Sequence, residues 1–88
     1  MTANEIKNML ANLKSLEIKS DEADAAYEAD PENLDAEAAF DKAYNEEFSA
    51  LSAVVAGIVS LTKGKISPAI ARKMVLTRRE DIENLVSL

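Results

Sequence analysis

The segment SDEADAAYEADPENLDAEAAFD, residues 20–41, holds nine carboxylates (Asp21, Glu22, Asp24, Glu28, Asp30, Glu32, Asp35, Glu37 and Asp41) and no Lys or Arg. Carboxylates at this density could serve acid–base catalysis, cation binding or a negative field offered to a basic partner. Catalysis needs two carboxyls in environments different enough to push their proton affinities apart. Acids scattered along exposed helices lack the pocket that would do this. Calcium binding of the EF-hand kind needs alternating oxygen ligands, a glycine at the sixth position and a Glu at the twelfth. The candidate DEADAAYEADPE has no glycine, and its composition favours helix over loop.

The remaining catalytic residue types are scarce. The chain has no His, which removes the commonest general base and metal ligand, and no Cys, which removes thiolate nucleophiles and disulfides. Its Ser residues have no imidazole to activate them, and Gly57 and Gly64 stand alone where a phosphate loop would need several glycines. The sequence therefore points away from an enzyme and implies no catalytic residue, metal, cofactor or small-molecule substrate.

The third chemistry remains. Asp21, Glu22, Asp24, Glu28, Asp30, Glu32, Asp35 and Glu37 can act together as a field that docks a protein with a basic surface. A run of like charge is most often only the wet side of a helix. Here, though, like charges on neighbouring arms repel, and the chain interleaves bases elsewhere, at Lys7, Lys14 and Lys19.

Charge reverses after Leu61. Residues 63–88 carry six bases (Lys63, Lys65, Arg72, Lys73, Arg78 and Arg79) against three acids (Glu80, Asp81 and Glu83). Arg72, Lys73, Arg78 and Arg79 thus offer an alternative, a small nucleic-acid-binding regulator. The pattern falls short of a helix-turn-helix: the turn lacks glycine, the second helix is short, and no Asn or Gln stands where base edges would be read. An acidic end and a basic end on one elongated chain also suit a homodimer.

Helices must position these groups. Ala, Leu, Glu and Lys dominate, with two Gly and two Pro in 88 residues, which favours an all-α fold in a single helical domain, 1–88. In TANE, Thr2 caps a first helix with Glu5 reaching back, and Ile6, Met9, Leu10, Leu13 and Leu16 recur on one face as far as about Ala29. At ADPEN, Asp30 is expected to cap and Pro31 to begin a second helix of 32 residues ending at KGK, where Gly64 suits a left-handed terminus. At 1.5 Å per residue that helix is about 48 Å long and must lie against something equally long. The first helix is the available partner. An antiparallel hairpin about Asp30 (residues 1–62) sets Ile6 near Val55, Leu10 near Leu51, Leu13 near Phe48, Ser20 near Asp41 and Tyr27 near Leu34, with the acids at its closed tip.

A basic tail (63–88) is then expected to pack on the open end, completing a three- or four-helix bundle. Ser67 and Pro68 start it, Ile70, Ala71, Met74 and Val75 form its buried face, and the capping pattern TRRE predicts a break at Thr77 before Ile82, Leu85 and Val86 return to the core. FSALSAVVAGIVSL, residues 48–61, is apolar nearly all round because it touches the first helix and the tail. At 14 residues it is too short for a membrane span, which takes about 20. Along it, Ser49, Ala53 and Gly57, and Ser52, Ala56 and Ser60, form two ridges of small residues that a neighbouring helix could approach closely. Ten residues of Lys and Arg against sixteen of Asp and Glu favour solubility, and the lack of Cys and of a secretory leader fits the cytoplasm.

Overall fold

A computed structural model describes residues 2–86. Four helices follow one another: α1 (Ala3–Ala29), α2 (Leu34–Leu61), α3 (Pro68–Thr77) and α4 (Arg79–Val86). α1 and α2 form a long helical hairpin and the two short helices close its open end, so the body is elongated, 47 × 20 × 20 Å.

The caps explain the boundaries. Thr2 Oγ1 accepts from the Glu5 N–H at 3.2 Å and donates to Glu5 Oε1, so the reciprocal bond runs to the hydroxyl and not to the Thr2 N–H. α1 continues unbroken through Ser20, which is buried at 6% exposure and whose small volume lets α2 come close. The second helix begins three residues later than the spacing predicts. The Asp30 N–H closes α1 onto Ala26 and Tyr27, and Asp30 then opens a four-residue turn in which its carbonyl accepts from the Asn33 N–H at 3.1 Å. Pro31 occupies the turn position that suits its fixed φ, and Asn33 caps α2, its Oδ1 accepting from Asp35 and Ala36.

Moving the start of α2 shifts the hairpin register. Tyr27 stacks on Phe40, with centroids 5.7 Å apart, and Leu34 stands 77% exposed. Phe48, expected beside Leu13, is 48% exposed and lies under the Arg72 guanidinium.

α2 ends in a Schellman corner. The Gly64 N–H reaches the Val59 carbonyl at 2.9 Å and the Lys63 N–H reaches Ser60 at 3.1 Å, while Thr62 Oγ1 donates to Ile58 and accepts from Ile66. Both Lys63 (φ 53°) and Gly64 (φ 80°) are left-handed, so the strained position falls on a lysine as well as on the expected glycine. Ser67 and Pro68 start α3 as expected, with Ser67 Oγ accepting from the Ile70 N–H.

The core is confined to one end of the molecule. Ile6 and Leu13 from α1, Val54 and Ile58 from α2, Ala71, Met74 and Val75 from α3, and Ile82 and Val86 from α4 are its buried apolar side chains. Between Leu13 and Val54 the only buried residue is Ser20. Ile70, expected inside, is half exposed, and Leu76 is exposed as well. The 48–61 run is likewise covered on two sides only: Val54, Gly57 and Ile58 are buried, but Ser52, Ala53, Ala56 and Ser60 face outward.

Removing core volume should therefore weaken the fold while the elbow tolerates truncation. Ile58→Ala is expected to cost about 2–5 kcal/mol in urea unfolding, and Leu34→Ala less than about 0.5 kcal/mol. Lys63→Gly should stabilise by about 0.5–1 kcal/mol, because it relieves a left-handed residue that carries a Cβ.

Candidate functional site: an acidic elbow

The hairpin gathers the carboxylates as its closed tip. Asp21, Glu22, Asp24 and Glu28 lie on the last turns of α1, Asp30 and Glu32 in the connecting turn, and Asp35 and Glu37 in the first turn of α2. With a rise of 1.5 Å per residue, all eight fall within about 15 Å of the turn along the hairpin axis. Asp24 is half-buried and the other seven are exposed. None has a basic partner among the described residues. Nor does any trio of acids among the described residues converge as a metal site requires.

Helix dipoles act on it in opposite senses. Asp35 and Glu37 sit at the positive end of α2, where they are favourable. Glu28 sits at the negative end of α1, whose last turn has no base, and its charge opposes folding.

Beneath the acids the two arms are held by modest means. Ala23, Ala36 and Ala43 are half-buried between them, and Tyr27, Phe40 and Tyr44 form a ladder, the second pair of rings at 6.3 Å with planes 26° apart. The tail does not reach this far. Its contacts toward the elbow are Arg79 with Glu17 and Arg72 with Phe48 at 5.9 Å. The elbow is thus a bare two-helix arm standing on a four-helix base.

The four cations of the alternative reading are not gathered into one row. Arg79 donates through both terminal nitrogens to the two Glu17 oxygens, at 2.6 and 2.7 Å, and through Nε to the Val75 carbonyl at 2.8 Å. Hydrogen bonding to Glu17 raises the Arg79 pKa further, against the opposing pull of burial, with the charges of Glu17 and Glu47 adding to the rise. Arg78 ends α3 and makes a long, exposed contact of 4.0 Å with Asp81. Arg72 covers Phe48, and Lys73 is exposed.

The tail break also differs in its chemistry from the expected capping box. Thr77 completes α3 and turns its hydroxyl back onto the Lys73 carbonyl at 2.7 Å, so the interruption falls at Arg78 (φ −140°, ψ 53°). Arg79 satisfies a carbonyl that the end of α3 leaves open, so one cation beside the start of α4 is turned to use. No spacing rule could have signalled this pair, since Glu17 and Arg79 lie 62 residues apart.

Among the described residues no helix is long and apolar enough to cross a membrane. The chain matches no protein-family model, no curated protein and no solved structure.

The Glu17–Arg79 clamp should carry measurable stability. Arg79→Lys loses the two-pronged geometry and the Val75 bond together and is expected to lower the urea-unfolding free energy by about 1–2 kcal/mol. Glu17→Gln, which leaves the guanidinium with a neutral partner, should cost about 1 kcal/mol.

Proposed function

We propose that this chain is a non-enzymatic interaction protein of the cytoplasm that docks a basic protein partner through its acidic elbow. The observation that supports this most is the arm itself. Eight carboxylates without an ion-pair partner among the described residues, and with Lys42 the one base beside them, project on a hairpin that the core does not reach, at a cost to the chain's own stability. A domain that needed only solubility would be more stable with bases interleaved, as α1 carries them at Lys7, Lys14 and Lys19.

Exposed Leu34 and the Tyr27–Phe40–Tyr44 ladder add apolar surface beside the charge. A basic amphipathic helix has both complements, cations for the field and an apolar stripe for the ladder. Nucleic acid is the weaker candidate: the chain's net charge of −6 opposes it, and Arg79 is engaged internally.

Two measurements on one set of variants test the reading. Changing Asp24, Glu28, Glu32 and Asp35 to Asn or Gln should abolish capture of basic partners at low salt, and capture by the native chain should fade as salt rises. Glu28→Gln alone should raise folding stability by about 0.3–1 kcal/mol, through the dipole of α1, while weakening capture. Equal capture by the neutralised variant ends the docking role of the elbow.

A further inference from the structure

The open side of α2 is a second surface, separate from the elbow. A groove of about 620 Å³ runs between α2 and α3, lined mainly by Leu51, Val55 and Val59, by the small residues Ser52, Ala56 and Ser60, and by Arg72 at its edge. At 100° per residue, Phe48, Ser52, Val55, Ala56 and Val59 share one side of α2, and Asp41 continues it toward the elbow. The side is graded in both size and charge. Its elbow half has the large exposed ring of Phe48 and the acid Asp41, and its far half has the small Ala56 followed by Lys63 just past the end of α2. Asp41, Lys63 and Lys65 are exposed and without an ionic partner among the described residues.

We propose that a second copy of this chain covers this surface, its α2 running antiparallel to the first across a two-fold axis near Ser52. Under such an axis residue 52 − n of one copy lies level with residue 52 + n of the other. Phe48 then meets Ala56 at n = 4, and Asp41 meets Lys63 at n = 11. The ring of Phe48 thus falls beside a small residue and the acid Asp41 beside a base. A parallel arrangement would bring ring onto ring and like charge onto like charge. This graded surface is self-complementary only when reversed, as a closed isologous dimer demands. Small residues at the axis allow two helices to approach to about 10 Å between axes, which leaves the two Ser52 Cα atoms at a separation a disulfide can span.

Since the chain has no Cys, the axis can be probed directly. Ser52→Cys in the full chain places two thiols face to face across the axis and should give a covalent dimer on mild oxidation about tenfold faster than Ser15→Cys, an exposed position on α1. By sedimentation equilibrium the native chain should self-associate, and Asp41→Lys should weaken that association about fivefold or more, through two lost ion pairs and two like-charge contacts. Asp41→Lys with Lys63→Asp restores opposite charges and should recover it. A native chain monomeric at about 1 mM, or Ser52→Cys oxidising no faster than Ser15→Cys, overturns the dimer. Failure of the charge-reversed pair to recover overturns the antiparallel register. The elbow reading can fail separately, because none of the residues changed here belongs to its eight carboxylates.

Discussion

Helices of 27 and 28 residues expose more side-chain surface to each other than the 18 residues of α3 and α4 can cover. The protein spends its large apolar residues where coverage is available, at the open end of the hairpin, and fills the other end with alanine, one serine and a ladder of rings. Most features of the molecule follow from that division. The core draws on all four helices within a short length, the elbow stands free, and one side of α2 stays open because two flanking elements cannot wrap three faces.

Charge follows the same division. Where apolar packing is dense, the long-range pair of Glu17 and Arg79 joins α1 to the junction of α3 and α4 and occupies a carbonyl at the end of α3. Where packing is thin, carboxylates accumulate without ion-pair partners among the described residues. The arm is therefore the part of the structure most open to local loosening, since few buried contacts resist it. A partner that neutralised the elbow would act on this least stable region, so binding and local ordering would be coupled there.

Much of the architecture was legible in the residues. Periodicity and composition identify the two long helices, the hairpin and the returning tail, because each depends on local rules of spacing and capping. The details that escaped involve competition between neighbours or contacts across the fold. Asp30 and Asn33 both suit a helix start, and Asn33 takes that role because Asp30 is occupied in closing α1. The pairing of the arms is offset as well: Tyr27 stacks on Phe40, six positions beyond the expected Leu34, and Phe48 lies at the surface. Arg79 stands beside the positive end of α4, and its partner Glu17, far away in sequence on α1, offsets that position. The acidic cluster and the ridge of Ser52, Ala56 and Ser60 are plain in the residues, whereas the groove along that ridge also needs the wall that α3 supplies.

The aromatic ladder has an experimental corollary. Tyr27 and Tyr44 are the only tyrosines, the chain has no Trp, and both tyrosines lie in the arm while the core is purely aliphatic and thioether. Intrinsic fluorescence and near-ultraviolet dichroism therefore report on the thin end of the molecule and are almost blind to the base, whereas amide dichroism averages over both. Disagreement between the two signals during unfolding would be the optical signature of an arm that melts ahead of its foundation.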